Sequence, residues 1–421
     1  MEQLKSRLDE VLNSKSEVKF INEFKPEGVS QNIKAFTIEG EEYQGRKTKV
    51  FGYYGLPNNT DKKIPAVVLV HGGGGHAYCC WVKEWNDRGY AAVAIDTTGY
   101  MPKNKNAGYR EGLDDDNNWE RQLNGVFEEK DYICPPDNDQ MDIDDKELQS
   151  QWMFHAVSSL IKINSFLREQ PEIDRDKIGV VGISWGGVIT SILLGYDTRF
   201  AFGIPIYGSG YLAEGVSYIS EFFRNSQVEN LWLAEKNFNK FKMPVLWLAW
   251  NDDSCFTVNS NSKSFEDTVK NNGKTRISLI NNMKHSHQCA WARKESFYFA
   301  NSVIGKVPDM PQIINNSSLP QINIEIKFDE KIKIKSAMLY YQKSHKYKNF
   351  DKYGEGERSY FAENWNRVPL AIECKKVTEV FTEKIAGYYI EVIYIYGEKE
   401  YVVTTPYKSF EPFLYKNEIN I

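Results

Sequence analysis

The sequence predicts a doubly wound α/β sheet followed by an all-β C-terminal region, and three observations predict it. Unbroken apolar runs such as Pro65-Ala-Val-Val-Leu-Val70 alternate with helical segments up to about residue 306, as strands buried on both faces of a parallel sheet do. Gly182-Ile-Ser-Trp-Gly-Gly187 follows the apolar run Lys177–Gly182 and precedes the helix-like Val188–Leu194, so a strand runs through a sharp turn into a helix. Beyond Pro308 period-two alternation takes over without helical segments, which suggests a β-sandwich of about seven strands, of immunoglobulin or fibronectin type III kind.

Residues 2–13 read as an amphipathic helix in a lead-in that extends to about residue 30. Asn32–Glu39 and Lys47–Tyr54 read as an antiparallel hairpin at a sheet edge, before the buried strand Pro65–Val70. A helix near Trp81–Arg88, a strand at Ala91–Ile95, a long helix over Glu147–Glu169 and the strand Ile178–Gly182 continue the alternation. Strands at Phe200–Ile206, Val245–Trp250 and Arg276–Ile280 complete it, giving a catalytic-type domain over residues 31–307. Two excursions interrupt it: the acidic stretch 100–146 and the aromatic-rich 208–240. Both have the length of lids or solvated loops. The turn-rich 307–318 reads as a linker to a β domain over 318–421. Its expected strands are Ile322–Lys327, Lys333–Tyr341, Val368–Cys374, Gly387–Tyr396 and Glu400–Val403.

A length of 421 residues exceeds one ordinary core. A net charge of −5 with no basic block excludes nucleic acid as an expected partner. No apolar run approaches the ~20 residues of a membrane span, and the charged N-terminus lacks a signal-peptide core. The simplest expectation is a cytoplasmic protein, with a trimmed secreted form as the alternative. The six cysteines (79, 80, 134, 255, 289 and 374) make neither a disulfide framework nor a metal pattern. Cys79 and Cys80 read as small buried hydrophobes at a helix start. No cofactor or metal is expected, and homo-oligomerisation stays open.

A serine hydroxyl becomes a nucleophile when a histidine takes its proton, a carboxylate orients that histidine, and N–H groups hold the oxyanion. Ser184 sits at the turn, with Gly182 and Gly186 allowing strand and helix to approach. The six histidines are at 71, 76, 155, 285, 287 and 345. His345 lies in a polar stretch of the β region and reads as a surface residue. His285 and His287 follow the last strand of the alternation, and the count from that strand favours His285 with His287 as the alternative. Asp253 follows the preceding strand and is the expected acid. Asp252, the alternative, is expected to cap the next helix. His71-Gly-Gly-Gly-Gly75 follows the first buried strand. Its glycines, with Gly73 and Gly74 foremost, can bring N–H groups to an oxyanion together with that of Trp185. No Gly-Lys-Ser/Thr or G-x-G-x-x-G spacing supports a phosphate cradle.

These segments, with W-V-K-E-W-N-D-R-G-Y-A-A-V-A-I-D-T-T-G and M-K-H-S-H-Q-C-A-W, resemble the α/β-hydrolase superfamily over about residues 30–306. Within it the chain is similar to bacterial acetyl xylan esterases and dipeptidyl-aminopeptidase-like hydrolases. The resemblance implies a serine esterase acting on a small-molecule or carbohydrate ester, with Ser184, Asp253 and His285 or His287 as the triad. The chain departs from the family around the acid (Ala249-Trp-Asn-Asp-Asp253) and the histidines (Lys284, Ser286, Gln288). Those departures leave the triad residue types in place but put pocket shape and substrate in doubt. Trp119, Trp152 and Trp185 are the candidates for an aromatic wall. Gln151 and His155 lie near Trp152 on the long helix, and His71 completes the expected substrate-binding set. A peptidase with the same triad, or a glycan-binding protein with a vestigial hydrolase domain, are the competing readings.

Overall fold

In the computed structural model the described residues are 2–22, 24, 32–58, 62–103, 119–121, 132–137, 147–214, 218–224, 231–253, 255–344 and 365–410. The chain forms two compact units. The first is Met1–Ile206 with Asn225–Met243, and the second is Tyr207–Arg224 with Pro244–Ile421.

The first unit opens on α1 (Glu2–Asn13), which buries Leu4, Leu8 and Val11 along one stripe. Among the described residues the strands that follow are β1 (Val18–Ile21), β2 (Ile33–Glu39), β3 (Lys47–Gly55), β4 (Ile64–Val70), β5 (Ala91–Ile95), β6 (Tyr100–Pro102), β7 (Trp119–Arg121), β8 (Tyr132–Ile133), β9 (Ile173–Ile183) and β10 (Phe202–Ile206). Its main sheet has the order β1-β2-β3-β5-β4-β9-β10. β1, β2 and β3 pair antiparallel, and β3 meets β5 antiparallel. The remaining pairs are parallel. The hairpin Asn32–Tyr54 is therefore present, but β1 rather than β2 is the edge. A four-residue strand is too short to announce itself by periodicity.

Every residue of β4, β5 and β10 is buried, in keeping with their apolar runs. β9 begins at Ile173, ahead of the expected start, because Ile64 pairs with Ile173, and the polar Asp174–Lys177 bulge out before the pairing resumes at Ala66 and Ile178. The helices are α2 (Cys79–Asn86), α3 (Trp152–Glu169) and α4 (Trp185–Leu193). α3 starts later than Glu147 because Leu148–Ser150 forms a 3₁₀ turn. Of the acidic excursion, 104–118, 122–131 and 138–146 lie outside the described residues. Within what remains, β6 pairs antiparallel with β7, and β8 lies parallel to β3.

The chain goes from β4 to β5 on one side and reaches β9 on the other. The carboxyl ends of β4 and β9 therefore flank a topological switch point, where doubly wound sheets bind ligands.

The second unit holds the parallel pair β11 (Leu246–Trp250) and β12 (Arg276–Ile280). Its helices are α5 (Tyr218–Phe223), α6 (Val258–Thr268), α7 (His287–Trp291) and α8 (Lys294–Val303). Then come β13 (Gln312–Asn315), β14 (Gln321–Lys327), β15 (Lys333–Gln342), β16 (Asn366–Leu370), β17 (Lys376–Val380), β18 (Gly387–Tyr396), β19 (Lys399–Thr404) and β20 (Lys408–Ser409). They form a three-stranded sheet, β13-β14-β17, and a five-stranded one, β16-β15-β18-β19 with β20 on β18. The region is all-β as expected, but an immunoglobulin- or fibronectin-like strand order is not identified in it.

β13 and β17 escaped prediction, and β13 lies in the stretch read as a linker. That stretch is held in place. The buried Arg276 guanidinium donates to the carbonyls of Met310 (3.0 Å) and Pro311 (2.9 Å). β12 is tied to β19 as well: Ser278 Oγ donates to the Val402 carbonyl at 2.8 Å, and the Leu279 N–H to Thr404 Oγ1 at 3.3 Å. Among the described residues no helix is long and apolar enough to cross a membrane.

Candidate active site

In the first unit, β9 runs into α4 through Ser184, whose φ of 56° and ψ of −120° no ordinary turn residue adopts. Such strain persists where surrounding contacts fix it. The Ser184 N–H donates to the Ile206 carbonyl at 2.8 Å. A Cβ on Gly182 would stand 2.0 Å from the Gly186 carbonyl oxygen, and one on Gly186 2.2 Å from that of Val70. The two glycines therefore allow β9, α4 and the end of β4 to meet.

The glycine loop starts where β4 ends. Gly73 and Gly74 are exposed, and a Cβ on Gly73 would lie 2.7 Å from Cδ1 of the Trp185 indole. Gly74 has φ +67° with open space around it. The loop is thus brought beside the elbow.

His71 does not line that site. It is buried, its Nδ1 donates to the Gly72 carbonyl (2.8 Å), and its Nε2 accepts from the Thr97 N–H (2.9 Å). Burial pushes its imidazole down to about 4 and the Asp96 carboxyl nearby up to about 6. Its role is to tie the glycine loop to the turn after β5.

Trp152, the first residue of α3, sits edge-on to Trp185 with ring centroids 5.7 Å apart, and its Nε1–H donates to the Thr97 carbonyl at 2.5 Å. His155 faces elsewhere. It is buried against Tyr43, with Nε2 hydrogen-bonded to the Gln149 carbonyl at 2.7 Å and the imidazole pushed down to about 4 by burial. Where a substrate-facing position was expected, His71 is buried and bonded within the glycine loop and to the turn after β5, and His155 is buried and bonded to the turn before α3. Gln151 accepts from the Trp232 indole N–H at 2.8 Å. Trp119 lies in β7, and its side chain is outside the described residues.

In the second unit, Asp253 follows β11 and His285 follows β12. His285 Nδ1 meets Asp253 Oδ2 at 2.6 Å, and Asp253 Oδ1 accepts the N–H groups of Cys255 and Phe256 at 2.9 and 3.0 Å. With Nδ1 donating to the carboxylate, Nε2 is the nitrogen that can accept a proton. Tyr207 stacks on one side of the imidazole at 4.5 Å and Phe256 lies nearly parallel to it at 5.7 Å. The Tyr207 hydroxyl in turn donates to the Lys284 carbonyl at 2.5 Å. Tyr207 carried no signal in the sequence beyond following a buried strand.

Of the two candidate histidines, His285 is the one paired with the acid, whereas His287 begins α7. Asp252 is buried, and burial pushes its carboxyl up to about 6. It does not cap α6: Thr257 does, accepting from the Ser260 N–H. His345 lies outside the described residues. Cys79 and Cys80 are buried at the start of α2. Among the described residues no group of three His, Cys, Asp or Glu is placed to hold a metal.

Residues 50–303 match the family described as the dienelactone hydrolase family. No curated protein matches the chain. Among solved structures, it is similar to the acetyl xylan esterase of Paenibacillus sp. R4, at 17% identity over 68% of this chain and 89% of that one, with a TM-score of 0.46. Acetyl xylan esterase 1 of Thermoanaerobacterium sp. JW/SL YS485 is 16% identical over 72% of this chain and 93% of its own, with a TM-score of 0.47. An acylaminoacyl peptidase of Pyrococcus horikoshii is 17% identical over 62% of this chain and 39% of its own, with a TM-score of 0.42.

Proposed function

The chain belongs to the dienelactone hydrolase family, and from that premise we propose that it is a serine carboxylic ester hydrolase acting on a carbohydrate or other small acyl ester. The observation that carries the reading is the Asp253–His285 pair, a carboxylate held at 2.6 Å from Nδ1, which leaves Nε2 as the nitrogen that takes a proton. The strained Ser184 at its strand-to-helix turn supplies the matching nucleophile.

In the proposed reaction Ser184 Oγ attacks the ester carbonyl carbon while His285 Nε2 takes the hydroxyl proton. N–H groups of Gly73, Gly74 and Trp185 receive the negative charge of the tetrahedral oxygen. Collapse breaks the bond to the alcohol oxygen, which leaves with the proton held by His285. Water then attacks the acyl-serine, gives its proton to His285, and releases the acid and the free serine. Asp253 stays ionised throughout and holds the ring.

The first test is hydrolysis of p-nitrophenyl acetate by the full chain. Ser184→Ala and His285→Ala should each lower kcat by ~10⁴-fold or more, and the double variant by no more than the worse single one, since residues acting as one unit are non-additive. Retained turnover in Ser184→Ala refutes the assignment. A panel of acetylated sugars, longer acyl esters and aminoacyl amides on the wild type separates esterase from peptidase. An ester preference supports the proposal.

A further inference from the structure

The acid turn after β11 consists of three consecutive residues whose side chains go to three places. Asp253 meets His285. Asn251 Nδ2 donates to the hydroxyl of Tyr389 at 3.0 Å, a contact buried on both sides and spanning 138 residues of chain. Asp252 is buried beside Trp365, whose indole N–H favours its charged form without closing a hydrogen bond.

Tyr389 is itself immobilised. It is fully buried in β18, and its ring stacks at 5.0 Å and 2° on Tyr340, its register partner in β15. Trp365 packs edge-on against it at 5.1 Å. A stacked tyrosine pair in the C-terminal sheet thus holds the hydroxyl that meets the acid turn.

Within the serine-hydrolase reading, we propose that Tyr389 is a positioning residue that holds the acid turn through Asn251. The C-terminal strands are on this view a working part of the Asp253–His285 pair rather than an appendage. The physical case is one of leverage. Asn251 is two residues from Asp253, and its backbone N–H already bonds the Ile280 carbonyl at 3.2 Å. The side-chain bond to Tyr389 is the second fixed point that keeps the turn from rotating about the first. Catalysis is sensitive to displacements of this size: about 1 Å at a catalytic group can cost ~10²-fold in rate.

The test is Tyr389→Phe in the full chain, which keeps ring and stack and removes only the hydroxyl. kcat for p-nitrophenyl acetate should fall about 10- to 100-fold with KM unchanged. Tyr388→Phe is the control. Its side chain points to the opposite face of the strand, and kcat should stay at the wild-type value. Asn251→Ala approaches the same bond from the turn. It should show the same kcat-only loss, and Tyr389→Phe added to it should cost nothing further.

A second readout does not use activity: the downfield imidazole N–H proton resonance of the Asp253–His285 hydrogen bond, assigned by its loss in Asp253→Asn. It should shift or broaden in Tyr389→Phe and not in Tyr388→Phe. An unchanged kcat and an unchanged resonance in both Tyr389→Phe and Asn251→Ala overturn the proposal. If Ser184→Ala retains hydrolysis, the functional reading fails, and the resonance still decides whether Tyr389 positions the pair.

Discussion

Two glycines flanking Ser184 do different work from the glycines upstream, and single substitutions tell them apart. A methyl group at Gly186 would meet two backbone carbonyl oxygens, those of Val70 at 2.2 Å and His71 at 2.4 Å, and neither can rotate away. Gly186→Ala should destabilise the protein by about 1–3 kcal/mol, seen as a lowered Tm, and should depress kcat because the elbow must shift. At Gly74 the backbone is left-handed with open space around it, so Gly74→Ala carries only the ~1–2 kcal/mol conformational cost. A Gly186→Ala protein with wild-type Tm and kcat contradicts the close approach of α4 and β4. Trp152 invites a finer test. Trp152→Phe keeps an aromatic ring beside Trp185 but removes both the N–H that serves the Thr97 carbonyl and the buried volume of the second ring. The cost should be about 2–4 kcal/mol for the cavity and the lost hydrogen bond together, read from Tm, with KM for p-nitrophenyl acetate unchanged because the ring is buried. A raised KM would mean that the ring touches the acyl group.

The elements proposed to carry the chemistry were legible in the sequence because each of their candidate loops follows an apolar run. β4, β9, β11 and β12 are buried strands, and the glycine loop, Ser184, Asp253 and His285 stand at their carboxyl ends. Short or polar strands were not legible. β1, β13 and the polar first half of β9 exist through their partners: Lys19 through Thr37, Ile314 through Glu325, Ile173 through Ile64. Tertiary pairing there outweighs composition. Side-chain partners distant in sequence were equally silent. Nothing around Tyr389 in the alternating run of β18 marks it as the acceptor for Asn251, and nothing in Tyr207 marks it as a cover for His285. The assignment of Asp252 as a helix cap failed for a local reason. Thr257 is one residue before α6, where its hydroxyl can reach the Ser260 N–H, whereas Asp252 lies five residues farther back.

Across the whole molecule, buried ionisable groups set opposing pH dependences. Burial raises Glu391 in β18 to about 7 from an ordinary 4.5, so the folded state binds its proton more tightly than the unfolded chain. Its contribution is fully present below pH 4.5 and is lost as pH rises through 7. His71 and His155, pushed down to about 4 from 6.5, act with the opposite sign. Their contribution is present above pH 6.5 and is lost as pH falls toward 4. Glu391→Gln should raise Tm relative to wild type at pH 8, by an amount equivalent to roughly 2–3 kcal/mol at most, and leave it unchanged near pH 4. Tm curves that stay parallel from pH 4 to 8 would refute the coupling. The cover over His285 has a consequence in time rather than in energy. The Tyr207 ring lies flat on the imidazole, and its hydroxyl is fastened to the Lys284 carbonyl, the peptide immediately before His285. The anchored ring therefore stands in the path of a half-turn that would exchange the two edges of the imidazole. A histidine free to flip idles whenever the wrong edge faces its partner. In the proposed reaction this cover would keep the proton-accepting nitrogen of His285 presented from one turnover to the next.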